Sequence, residues 1–337
     1  MLIRPVALKD HGEILELAKK AGIGMSSLPP DADVLESKIR NSILSFAGTP
    51  AKPHEESFLL VMEDASGKLV GTTGLVAHVG LSRPFYSYKL STVVQHNSEL
   101  DIYSQQHVLH MVNDYTNASE IGSLFLLPDY RRDGLGRYLS RCRYLLLAEF
   151  PQIFSDIVIA EIRGVSKADG GAPFYNHLAQ HFFHMTFAQA DYISATMGNQ
   201  FIADLMPKYP IYVNLLPQEA QEVIGQPLHE SSAAMRLLMR EGFRYEGYVD
   251  VFDAGPTLQA ELGKIRAVQA SRRFEIANIV DSLDEEEDYM ISTTSLENYR
   301  ICRGKLLSSP ENAVTITHET ANMLKVEKGH AIRFSPA

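Results

Sequence analysis

The chain has 337 residues, 45% of them hydrophobic and 21% charged, a globular composition too long for one small core, so two domains are expected. With 41 acidic against 31 basic residues the formal charge is -10, which disfavours a nucleic-acid partner and suits a cationic small substrate through long-range attraction. The longest apolar stretches, such as 144–148 and 157–160, fall far short of the roughly 20 residues of a membrane-spanning helix. MLIRPVALKD lacks the order of a signal peptide, so no membrane association and a cytoplasmic location are expected. Cys142 and Cys302 have no metal-ligand spacing and fit two reduced thiols.

In chain order, residues 2–6 read as a strand. Asp10 is a candidate N-cap for HGEILELAKKAG, whose Ile14, Leu17 and Ala18 share one helical face before Gly22 and Gly24. A second helical segment covers 34–44, and 57–80 reads as two strands joined by the turn at 64–67. Between 81 and 117 an aromatic excursion with Pro84, Phe85, Tyr86 and Tyr88 precedes a helix expected near 105–112. From 120 the order is strand (IGSLFLL), loop (PDYRRDGLG), helix (LGRYLSRCRYLLLAEF) and strand (FSDIVIAEIRG). A helix is expected at 231–241. Beyond 256 come short β-like runs, with the acidic run at 284–288 as a solvated loop.

The chemistry concentrates at Arg131-Arg132-Asp133-Gly134-Leu135-Gly136, an R/Q-x-x-G-x-G/A pattern between a strand and an amphipathic helix. Glycines let the backbone approach a pyrophosphate, and free N–H groups at the helix start complement its charge. Arg131, Arg132 and Arg137 add positive charge at that end. The alternative is an ordinary strand-to-helix turn.

This motif resembles the coenzyme A loop of GNAT acyltransferases. Further stretches narrow the resemblance to the arginine N-succinyltransferase family: IRPV at 3–6, SLP at 27–29, APFYNHLAQHFF at 172–183, FIADLMPKYPIYV at 201–213, AQEVIGQ at 220–226 and EGFRYEGYVDVFDAGPTL at 241–258. The resemblance implies an α/β (α+β) fold: a GNAT domain with a mixed central sheet over 1–258, carrying an insertion at about 165–228. A small β-barrel-like domain is expected over 259–337. In such a fold Leu124, Phe125 and Leu126 would offer backbone groups to the pantetheine arm, and residues 131–137, including Leu135, would hold the pyrophosphate. The co-substrate implied is succinyl-CoA, with no prosthetic group. The acceptor implied is the α-amine of L-arginine, the first step of arginine degradation.

The family's proton donor is a histidine soon after IGQ, and His229 is the only histidine between Gly225 and Gly242. The family shows IGQ-x-H-P, whereas this chain reads IGQPLHES, with the histidine one position later. Imidazole exchanges protons near neutral pH, as a departing CoA thiolate requires, though His229 also fits an ordinary helix N-terminus. His107 and His110 would share a helix face but lack a third ligand, so no metal is expected. His177, His181 and His184 read as helix-surface or packed residues. A guanidinium calls for carboxylates, for which Glu161, Asp191, Asp204, Asp250 and Asp253 are candidates. A succinyl carboxylate calls for a cation. Alternatives are an acceptor such as ornithine, a different acyl donor such as acetyl-CoA, a non-catalytic subunit of a heteromeric transferase, or a CoA-binding sensor. A homo- or hetero-oligomer is compatible with all of them.

Overall fold

The computed structural model describes residues 1–337 other than 23, 53, 168 and 169. Its first half opens with β1 (Leu2–Pro5), α1 (His11–Ala21) and α2 (Ala32–Phe46), then β2 (Ser57–Glu63) and β3 (Leu69–Val76). A long hairpin of β4 (Ser87–Asn97) and β5 (Ile102–Val112) follows. Next come β6 (Ser119–Leu126), α3 (Leu135–Glu149) and β7 (Ile157–Glu161). The segment α4 (Pro173–His177), α5 (Gln180–Phe183), α6 (Phe187–Met197), α7 (Gln200–Leu205), β8 (Ile211–Tyr212) and α8 (Gln218–Gln221) forms a largely helical insertion. The chain closes with α9 (Ser232–Glu241), β9 (Arg244–Val249), β10 (Pro256–Glu261), α10 (Arg266–Ala270), β11 (Arg272–Val280), β12 (Tyr289–Thr293), β13 (Ile301–Gly304), β14 (Leu306–Ser308), β15 (Ala313–Thr317), α11 (His318–Leu324) and β16 (Ala331–Pro336).

These sixteen strands of the described residues join in one mixed sheet, ordered β14-β15-β11-β16-β12-β13-β1-β2-β3-β6-β7-β10-β9-β4-β5-β8. The C-terminal strands are continuous with the rest, because β13 pairs with β1 through Leu2 opposite Cys302 and Ile3 opposite Ile301. The division expected at 258/259 falls inside β10, whose register with β7 runs from Thr257 to Glu261. Those C-terminal strands enclose their own apolar cluster, including Ile276, Ile291, Val314, Ile316 and Ile332. The main core lies where α1, α2 and α3 cover the central strands, with Ile14, Leu17, Leu35, Ile39, Leu139 and Leu145 buried. The insertion builds a separate cluster around Phe174, Tyr175, Phe183, Phe187 and Phe252.

Two expectations are corrected. Residues 105–112 belong to β5, paired across its full length with β4, not to a helix. Spaced three apart on a strand, His107 and His110 therefore point to opposite faces. Asp10 makes no side-chain cap bond to α1; its Oδ2 accepts the Ala7 N–H at 2.7 Å and it ion-pairs with Arg4, also at 2.7 Å. Arg4 draws it there because that guanidinium is itself largely buried beside Glu63.

Candidate active site

β6 and β7 run parallel but pair only at Ser119 with Val158 and Glu120 with Ile159. Beyond that point the strands part, and residues 120–126 and 160–163 form two walls of a cavity of about 510 Å³. A bulge shapes the β6 wall: its register with β3 shifts between Thr72 and Gly74, and Ser123 adopts a left-handed φ of 50°. That strained residue is held on every side. Thr72 Oγ1 donates to its carbonyl at 2.8 Å, its N–H donates to Ser27 Oγ at 3.2 Å, and its own hydroxyl donates to the Ser27 carbonyl at 3.2 Å.

The loop after β6 turns into α3 through Asp133 and Gly134, with φ of 54° and 73°. The Asp133 and Gly134 N–H groups have no acceptor among the described residues, and the first helical turn adds further free donors. A Cβ on Gly134 would meet nothing within 4 Å, and one on Gly136 only Leu126 Cδ2 at 4.0 Å, so the space before the helix start is open. Arg131 is fixed by its Nε donating to the Leu126 carbonyl at 3.0 Å and by lying 5.8 Å over the Phe125 ring. An anion-receptive end results. Leu124, Phe125, Leu126, Arg131, Arg132, Asp133, Gly134 and Gly136 all line the main cavity, whereas Arg137 faces a smaller cavity of about 110 Å³ and Leu135 lines neither.

About six residues back along β6, roughly 20 Å at strand rise, the cavity is acidic. Glu120, Glu161, Asp191, Asp250 and Asp253 all line it. Asp253 is fastened by N–H groups of Gly164 at 2.7 Å and Gly255 at 2.8 Å, and Asp250 accepts those of Phe252 at 2.7 Å and Asp253 at 2.9 Å. Burial pushes the Glu161 carboxyl well above the ordinary range, reinforced by Asp250, Glu120 and Asp253. Burial likewise raises Asp253, Asp250 and Glu120, the last opposed by Lys38. Asp191, on α6, is lifted by burial to about 6 against the bond it accepts from the Gly24 N–H at 3.1 Å. Drawn together and partly buried, these acids disfavour one another's ionised form, and a positive charge in the cavity would favour it.

Of the carboxylates considered from sequence, Asp204 is not on the cavity wall; it accepts from Gln200 at 3.0 Å on the exposed side of α7. Nothing in the sequence singles out Glu120, which stands near the start of a strand marked only by its apolar run. His229 opens a short turn leading into α9, off the cavity wall, although the next two residues, Glu230 and Ser231, line it. His177 bonds Glu219 at the insertion surface. Among the described residues no group of three or more His, Cys, Asp and Glu side chains is arranged to hold a metal, and no helix is long and apolar enough to cross a membrane.

A parallel strand pair that splays beside a glycine loop and helix start is the arrangement expected of the acyltransferase class that the sequence resembles. Within it, residues 1–267 match the model of the arginine N-succinyltransferase beta subunit family, and residues 272–336 match that family's C-terminal domain. The chain belongs to the arginine N-succinyltransferase family. It is 38% identical to the arginine N-succinyltransferase subunit beta of Pseudomonas aeruginosa, over 100% of this chain and 98% of that protein. It is 36% identical to an Escherichia coli arginine N-succinyltransferase, over 99% and 96%. Among solved structures, the arginine/ornithine succinyltransferase subunit AI of Pseudomonas aeruginosa superposes with a TM-score of 0.89 at 34% identity, covering 99% of this chain and 98% of that one.

Proposed function

We propose that the protein transfers the succinyl group of succinyl-CoA to the α-amine of L-arginine, releasing N2-succinylarginine and CoA. The observation that supports this best is a single cavity with an anion-receptive loop at one end and five carboxylates, Asp253 buried and the others partly buried, at the other. The pyrophosphate of the donor binds at residues 131–137 and its pantetheine arm runs back along Leu124, Phe125 and Leu126. The guanidinium of the acceptor enters the acidic end, where carboxylates can accept its paired N–H groups. The free amine attacks the thioester carbonyl carbon, so a C–N bond forms and the C–S bond breaks. Most of the acceleration comes from holding the two reactants together, with backbone N–H groups near Phe125 polarising the carbonyl. A carboxyl raised by burial is a better base than a solvated one and suits the proton leaving the amine. The family resemblance assigns to His229 the proton taken up by the CoA thiolate; the histidine itself lies off the cavity wall, next in sequence to Glu230, which lines it.

The test is release of free thiol from succinyl-CoA with arginine present. No release above an arginine-free control overturns the proposal. The solved Pseudomonas aeruginosa relative is an arginine/ornithine succinyltransferase subunit. Ornithine carries a side-chain ammonium that fits the same carboxylates, so the acceptor panel includes it, and a higher kcat/KM for ornithine would reassign the acceptor.

A further inference from the structure

A succinyl donor brings a second carboxylate into the cavity, and a carboxylate taken out of water needs a cation. Four arginines lie on the cavity wall: Arg131, Arg132, Arg143 and Arg163. Arg131 and Arg132 stand exposed in the glycine loop, with Arg131 tied to the Leu126 carbonyl. Arg163 lies in the fields of Asp253, Glu230 and Asp191 and donates to the Ala21 carbonyl at 3.2 Å. Arg143 is different. It is 2% exposed, its Nε and Nη2 donate to the Ser140 carbonyl at 2.9 Å and hydroxyl at 3.0 Å, and no carboxylate of the described residues forms an ion pair with it.

Burial pulls the Arg143 pKa down, yet a guanidinium stays charged at neutral pH. A buried cation without an anion is costly to a free protein, and the cavity is where a ligand could supply the anion. Its depth is also appropriate. α3 connects two parallel strands and so runs back along β6. Arg143 lies eight residues beyond Leu135, roughly 12 Å down the helix axis, beside the middle of β6 rather than at the phosphate loop. A thioester held along β6 presents its acyl chain at that level.

We propose that Arg143 receives the distal carboxylate of the acyl donor and thereby selects succinyl over uncharged acyl groups. The inference rests on the acyl-transfer reading above. An amino-acid acceptor also carries a carboxylate, so the test has one arm for each source.

Arg143→Met and Arg143→Lys are compared with the unaltered chain on succinyl-CoA and butyryl-CoA, and on arginine and argininamide. The unaltered chain is expected to favour succinyl-CoA over butyryl-CoA by about 100-fold or more in kcat/KM. Arg143→Met brings that ratio within about 10-fold by losing activity on succinyl-CoA alone, Arg143→Lys keeps part of it, and the arginine to argininamide ratio stays unchanged. The ligand-free melting temperature of Arg143→Met does not fall, because a buried unpaired charge has been replaced by an apolar chain of similar length. Equal loss on both donors overturns the inference by showing a structural role. Collapse of the arginine to argininamide ratio overturns it by assigning Arg143 to the acceptor. If the unaltered chain releases no thiol, the acyl-transfer reading falls separately. Calorimetry with the two acyl-CoAs then decides Arg143: a succinyl preference abolished in Arg143→Met supports the assignment, and equal affinities in the unaltered chain overturn it.

Discussion

Asp191 couples the acidic end of the cavity to pH. Its carboxyl is held near 6 by burial, above the ordinary 3.8, so the folded protein binds that proton more tightly than the unfolded chain. The associated stability is fully present below about pH 4 and is lost as pH rises through about 6, on the order of 3 kcal/mol for the free protein. Above pH 6 the ionised group is ready for a cation. Arginine affinity is therefore expected to rise between pH 5 and 7, and Asp191→Asn, which keeps an acceptor for the Gly24 N–H, should flatten that rise. The same variant should melt higher than the unaltered chain at pH 7 while its arginine KM increases about tenfold. Calorimetric titration at several pH values checks this; an unchanged pH profile removes Asp191 from the acceptor site. At His229, substitution by Gln should lower kcat by about 100-fold while leaving the donor KM within a few-fold. Steady-state kinetics that show no change in kcat would return His229 to an ordinary helix-start residue. Why residue roles are only partly legible in the sequence follows from these positions. Asp250 and Asp253 stand in a stretch that resembles the family, and only folding sets them against Glu161 and Glu120. Arg143 is hidden because the pattern of α3 reveals its apolar face, which says nothing about which polar positions of a buried helix meet a cavity.

Among elements, the strand-loop-helix-strand unit at 119–161 is readable because each part carries local chemistry: an apolar run, glycines where φ is positive, then helical spacing. The hairpin of β4 and β5 is not readable. QQHVLHMV places apolar residues at spacings a helix also satisfies, and what makes it a strand is eleven residues of pairing with a partner on the far side of a turn. The glycine loop can be tested by separating conformation from space. Gly134 needs its positive φ, so Gly134→Ala should cost about 1 kcal/mol of stability. Gly136 lies in the first helical turn with room for a methyl, so Gly136→Ala should raise stability slightly through helix propensity. Yet that methyl occupies the side from which a pyrophosphate would approach, and the KM for succinyl-CoA should rise about tenfold. Thermal melts paired with donor kinetics separate the two effects, and a Gly136→Ala enzyme with unaltered donor KM would move the phosphate elsewhere.

On the scale of the whole molecule, the C-terminal strands look like an appendage in sequence because their runs are short and turn-rich, but in the structure they grip the helix that leads away from the glycine loop. Tyr138 Oη donates to the Ile301 carbonyl at 3.2 Å, and Arg141, ion-paired with buried Glu241 at 2.8 Å, also donates to the Pro336 carbonyl at 2.8 Å. At the other end of α3, the nearly buried Glu149 accepts from Arg273 at 3.1 Å and Arg333 at 2.7 Å. None of these contacts can be inferred from local patterns, since each joins residues far apart in the chain. They make the orientation of α3, and with it the phosphate-binding end, dependent on residues 272–336. Glu149→Ala would leave the largely buried Arg333 without its carboxylate and is expected to destabilise the protein by about 2 kcal/mol, lowering the melting temperature by about 5 °C. Removing residues 272–337 goes further, because it uncovers the β1 edge once protected by β13 and the face of α3 once covered by β12 and β16. The shortened chain should aggregate or melt far below the full one and bind CoA weakly. A shortened chain with unchanged melting temperature and CoA affinity would instead make the C-terminal segment an independent module, and the contacts along α3 would then be incidental to the site.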